Sequence, residues 1–229
     1  MQLELPRTGL NGSALVELLA QLALAEHPAT PPSFVEGLGR WLGWKEAISL
    51  SAVLQAPPRA QTRRAPARPS SAAALARLDA EFTRVRTALA LAIAQALDDA
   101  AAGEEGSDFL PWRRCCFRLQ QAMEAAVGPL RAPARAVLHS QATPHPALST
   151  LAALDTALAA ALAPQEQAQL ALMPVLLEKH FMRQQARKDG PSGVFRHDMQ
   201  RLLHAELELR LQPALGLLDA LHAAHTGSP

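Results

Sequence analysis

A chain of 229 residues with 49% hydrophobic content carries enough apolar material for one packed domain or two. Aromatic residues are only 4%, with no Tyr, so core layers must be filled by Ala, Leu and other small or medium side chains, which suits close-packed helices and excludes an all-β sandwich. Its 22 Lys and Arg face 21 Asp and Glu, so no overall field draws it to nucleic acid or anionic lipid, and any such binding must come from a local patch.

Met1 to Leu10 lacks a basic start followed by an apolar core. The richest apolar run, Leu151 to Ala163, falls short of the ~20 residues that cross a bilayer, and it carries Asp155. Adjacent Cys115 and Cys116 cannot form an ordinary structural disulfide with each other. The expectation is a soluble cytoplasmic protein without a transmembrane segment.

From the N-terminus, Leu15, Leu18, Leu19 and Leu22 have the spacing of an amphipathic helix, entered through Asn11, Gly12 and Ser13 as caps. Ser33 and Glu36 have capping-box spacing ahead of a second helix with Phe34, Leu38, Trp41 and Leu42 on one face. After Gly43, Trp44 to Leu54 predicts a third helix, with a strand over Ile48 to Leu54 as the rival. Trp41 and Trp44, three apart, are read first as core anchors, with a docking patch for a protein partner as the alternative.

Ala56 to Ser70 holds four prolines and Arg59, Arg63, Arg64 and Arg68, with no acidic residue between Glu46 and Asp79. Proline stiffness and like-charge repulsion predict an extended, flexible linker. Beyond it, apolar residues follow one three-four spacing: Leu75, Leu78, Phe82, Val85, Leu89, Ala92 and Ala96. The spacing restarts as Phe109, Trp112, Cys116, Leu119, Met123, Ala126 and Leu130. Such a stripe is the seam by which long helices pack side by side. Gly128, Pro129 and Pro133 should bend or break the second helix. Leu151, Leu154, Leu158 and Leu162 mark a third, which meets Pro164 and Pro174. Gly190 to Gly193 predicts a turn before a last helix over Phe195 to His222, with an interruption expected at Pro213.

The fold expected is therefore all-α: a small N-terminal helical cluster (1–55), a flexible Pro/Arg-rich linker (56–70) and an elongated, antiparallel, coiled-coil-like helical bundle (71–225). A homo-oligomer is compatible with it, because a seam packs identically within and between chains.

Chemistry-bearing residues are sparse. His197, Arg201, His204 and Glu208 share a helical face, but Arg201 takes the place where a zinc helix puts its second His, so a solvated polar face is expected. Arg113, Arg114 and Arg118 surround the two cysteines and would lower a thiol pKa. Burial as small hydrophobes is nonetheless the expected state, with arginine activation the alternative. His180 falls on the stripe Leu170, Met173, Leu177 and reads as a satisfied core histidine. Lys179, Arg183 and Arg187 form a basic row that reads as solvated. No phosphate loop or dinucleotide fingerprint occurs. The expectation is no catalytic activity, cofactor or metal. Arg59, Arg63, Arg64 and Arg68 are candidate phosphate contacts, yet the third short helix offers a groove only Lys45 beside Glu46, so sequence-specific DNA binding is disfavoured.

Four blocks carry a family resemblance: Thr8-Gly-Leu-Asn-Gly-Ser-Ala-Leu-Val to Leu22; Arg40-Trp-Leu-Gly-Trp-Lys-Glu-Ala-Ile-Ser-Leu-Ser; Pro111-Trp-Arg-Arg with Met123-Glu-Ala-Ala-Val-Gly-Pro-Leu-Arg; and Phe195-Arg-His-Asp-Met through Ala205-Glu-Leu-Glu-Leu-Arg-Leu-Gln-Pro to Leu221. Together they resemble an uncharacterised proteobacterial family known only as a domain of unknown function. The family brings no catalytic residues. The resemblance implies genes neighbouring those for MotA/TolQ/ExbB-like proton channels and OmpA-like peptidoglycan-binding proteins. It therefore implies a non-enzymatic scaffold or accessory subunit at the cytoplasmic side of an inner-membrane assembly, with channel-like or OmpA-like partners. The alternative is a nucleic-acid-binding or regulatory protein that uses the arginine linker.

Overall fold

The computed structural model of the protein describes residues 14–22, 42–55, 71–102, 108–141, 146–186 and 192–226. They form α1 (Ala14–Gln21), α2 (Trp44–Gln55), α3 (Ser71–Ala102), α4 (Leu110–Val127), α5 (Arg131–Ser140), α6 (Pro146–Leu170), α7 (Met173–Ala186) and α8 (Ser192–Thr226). A 3-10 turn at Gly128–Leu130 joins α4 to α5. No strand occurs among the described residues, so the fold is all-α, and Ile48 to Leu54 is helical. The Ser33/Glu36 box, Trp41 and the 56–70 linker lie outside the described residues.

Polar pairs along the helices give their directions. Asp79 meets His222 at 3.0 Å, Arg86 meets Glu208 at 2.8 Å, and Asp98 meets Arg196. Partner numbers fall as those of α3 rise, so α3 and α8 are antiparallel. Trp112 packs on Phe195, Gln120 bonds Glu206, and Ala134 and Leu138 share a cluster with Leu217 and Leu221. The α4–α5 column therefore runs parallel to α8. Against it, Phe109 meets Phe181, Arg113 pairs with Glu178, Gln120 reaches the Leu170 carbonyl, and Arg131 pairs with Asp155. The α6–α7 column is thus antiparallel to α4–α5. The result is an up-down bundle of four columns, about 50 Å long at the 1.5 Å rise of a helical residue.

Both seams line its interior. Leu75, Val85, Leu89, Ala96, Phe109, Trp112, Cys116, Leu119, Met123 and Leu130 are buried, while Leu78, Phe82, Ala92 and Ala126 are half-buried. A large apolar cluster centred on Ile93, Leu97, Trp112, Met123, Leu202 and Leu203 fills one end, and a smaller one around Leu138, Ala152 and Leu221 fills the other. Prolines interrupt less than expected. Pro213 lies inside α8 and Pro164 inside α6, each removing one backbone hydrogen bond without ending its helix. Pro129 and Pro133 sit where the column passes through the 3-10 turn into the first turn of α5, positions that tolerate a missing N–H.

Two short helices lie outside the four columns. Leu15 of α1 joins the larger core, and Arg201 of α8 donates to Gln21 at 3.3 Å. The α2 helix rests on α6 with Leu50 as its buried residue. Neither core cluster includes Leu50, Leu154, Leu158 or Leu162, so α2 and the middle of α6 form an outer layer. The helical stretch Pro146–Ala186 contains 18 residues of mean hydropathy 1.4, only 11% of them buried. By length and composition alone it is apolar enough to cross a membrane, which corrects the expectation that no stretch is. Alanines make the difference, extending the apolar run on both sides of Asp155.

Candidate partner-binding surface

Trp44 does not anchor the core. It is 82% exposed, and Ile48, one turn on, is 53% exposed. At 100° per residue both point away from the α2 face that places Leu50 against α6. Exposed Leu54 lies one turn beyond Leu50, on the side of the packed face. The core reading of this residue is overturned because α2 packs through its opposite face, leaving a large aromatic ring and a branched chain in water. Trp41 and Arg59, Arg63, Arg64 and Arg68 lie outside the described residues.

A second concave feature lies between columns. On the two sides of this feature the α6–α7 column is tied to α4–α5: Asp155 takes Arg131 and Arg135, and the Leu170 carbonyl accepts from Gln120 Nε2 at 3.0 Å. Fifteen residues separate Asp155 from Leu170, while eleven separate Gln120 from Arg131. Allowing for the longer rise of the 3-10 turn, α6 has about 5 Å more path than the wall it faces. The surplus, with Pro164 inside it, leaves a cleft of about 450 Å³. Phe117, Glu124 and Val127 line one side, Ala163, Glu166 and Gln167 the other, and Arg210 the base.

Beneath the cleft lies a polar network in the bundle interior. The Glu206 carboxylate is 0% exposed and accepts from Arg210 Nε at 3.0 Å, from Arg210 Nη2 at 2.9 Å and from Gln120 Nε2 at 3.2 Å. One-turn spacing on α8 brings Arg210 to Glu206, and α4 supplies the amide. Sequence reasoning missed this network, because a lone Glu on an apolar stripe reads as solvated.

The histidine and cysteine candidates are absorbed by packing. His180 Nε2 lies 2.9 Å from Asp198 Oδ2, buried beside Phe195, so the pair fastens α7 to α8. Asp198 is eighteen residues away in the chain, and nothing in the spacing points to it. Glu208 is taken by Arg86 and Arg201 by Gln21, which splits the His197, Arg201, His204, Glu208 face among separate contacts. No group of three metal-ligating side chains forms among the described residues. Lys179 and Arg183 are exposed.

Both thiols are buried, as expected, and the alternative of arginine activation is not found. Arg113 pairs with Glu178 and stacks over Phe109. Cys115 donates to the Ala96 carbonyl at 3.3 Å, and burial pushes its thiol up from 9.0 to about 11 against the opposing pull of Arg118. Burial raises Cys116 further, with Glu206 adding to it. The folded thiols hold their protons at pH values where unfolded ones ionise. The stabilising contribution of Cys115 is therefore complete below about pH 9 and is lost as pH rises through about 11, while that of Cys116, raised further, is lost at higher pH. Two results are expected. Ellman's reagent at pH 8 should label neither cysteine until the protein unfolds. Urea midpoints should fall between pH 9 and 11, and less steeply in Cys115→Ala. Rapid labelling of the folded protein would contradict this burial.

No curated protein and no solved structure matches the chain. A family model described as "Protein of unknown function (DUF3348)" matches residues 1–223, and the chain therefore belongs to that family.

Proposed function

We propose that this protein is a non-enzymatic helical scaffold or accessory subunit that docks a protein partner through the outer face of α2. The observation that carries the reading is Trp44, 82% exposed beside Ile48 on a helix whose other face is already packed. Large aromatic side chains flanked by aliphatic ones dominate binding energy at protein interfaces. The resemblance supplies the setting: the cytoplasmic side of an inner-membrane assembly of channel-like and OmpA-like proteins in proteobacteria, with this protein peripheral to the membrane.

The test is crosslinking in native cells, followed by mass spectrometry of detergent-solubilised membranes. Wild-type protein should recover channel-like or OmpA-like partners. Trp44→Ala should reduce that recovery tenfold or more, since losing a hot-spot aromatic costs about 2 kcal/mol or more of binding. The substitution touches no core cluster, so the thermal midpoint should not move. A monomer that recovers no membrane component would sink the proposal.

A further inference from the structure

We infer that the cleft under α6 is a docking groove for an amphipathic helix whose apolar face is flanked on both edges by Lys or Arg. The inference rests on the scaffold reading and adds a second contact surface to it. The cleft is walled by two helical columns that meet at Asp155 and Leu170 and separate between them. That shape suits a helix laid into a groove through residues at three-four spacing.

Charge chooses the partner. Both arginines in the cleft already have a carboxylate partner, Arg210 the enclosed Glu206 and Arg131 Asp155, which it shares with Arg135 outside the cleft. The carboxylates left over are Glu124 on the α4 wall and Glu166 on the α6 wall, both exposed and neither in an ion pair among the described residues. One acid on each side of an apolar trough sets the pattern a partner must match, namely basic residues on either side of an apolar stripe. The same two acids oppose an anionic lipid surface. Phe117, 49% exposed at the rim, offers a ring for an aliphatic anchor or a face for a cation.

The probe is a fluorescein-labelled 18-residue helix of Leu and Lys, with the Leu/Glu counterpart as control, titrated against the full chain by anisotropy. The Leu/Lys peptide should bind saturably at one per chain and the Leu/Glu peptide should not. Glu124→Lys with Glu166→Lys should weaken binding tenfold or more. Glu124→Gln with Glu166→Gln should give a smaller loss, and Phe117→Ala should weaken binding without altering its salt dependence. Helical circular dichroism and the melting midpoint check that each variant is folded, and the uncharged pair serves if the reversed pair is not. Equal affinity for both peptides, or affinity unchanged in folded charge variants, would overturn the inference. A dimer of this chain lost in the same variants would also overturn it, by giving the cleft to a second copy. Peptide binding should be unaffected by Trp44→Ala, which keeps the two surfaces separable. Absent peptide binding with Trp44-dependent recovery of membrane proteins refutes the groove alone, and the opposite pattern refutes the membrane scaffold alone.

Discussion

Glu206→Ala should destabilise the protein by about 3–5 kcal/mol, read as a lowered urea midpoint at constant slope. The Arg210 side chain is only 15% exposed, and both of its bonded nitrogens donate to the Glu206 carboxylate. Removing the acid leaves a guanidinium in the bundle without its counter-charge, and Gln120 retains only the Leu170 carbonyl. Replacing both members with apolar residues of similar size, Glu206→Leu with Arg210→Met, should cost far less and can raise stability, because the desolvation penalty then vanishes along with the attraction. A double-mutant cycle separates the two effects. If the single and double variants proved equally unstable, the loss would lie in packing and not in charge.

Trp112→Ala should cost about 3–5 kcal/mol. The ring is fully buried, packs edge-on against Phe195 with centroids 5.3 Å apart, and stands on α4 where that helix meets α8. Its Nε1 has no hydrogen-bond partner among the described residues, so the native state already bears the cost of a desolvated donor. Trp112→Phe removes that donor while keeping an aromatic ring against Phe195, and its loss should be well below that of alanine. Denaturant unfolding followed by circular dichroism at 222 nm compares the two. A phenylalanine variant as unstable as the alanine one would contradict this and place the effect in contacts made by the indole alone.

Much of the bundle was legible because its periodicity is local. The stripe from Leu75 to Leu130 needs only neighbours three and four residues away, and those side chains are the buried or half-buried ones. The same rule said less about Leu154, Leu158 and Leu162, which have the spacing of a seam yet belong to neither core cluster. A stripe reports that a face is apolar and not how completely it is covered. Trp44 went wrong for a related reason: two tryptophans three apart fix a face without saying whether that face turns inward. The links of His180 to Asp198, and of Glu206 to Gln120, depend on the register between columns, which no window of a single helix contains. The cleft was invisible for the same reason, since it arises from comparing two path lengths, fifteen residues against eleven, between ties that only the folded chain makes.

The seat of α1 on α8 has a consequence for how the protein is made. Gln21 and its partner Arg201 are separated by 180 residues. A ribosome working at about 5–20 residues per second needs roughly 10–40 s to cover that distance. Throughout that interval the apolar side of α1, and from its synthesis onward the α3 side that will face α8, have no native partner to cover them. Closure of the bundle is therefore a late event in the life of the nascent chain, and the interval before it is when association with another chain, or with a chaperone, competes most strongly with folding.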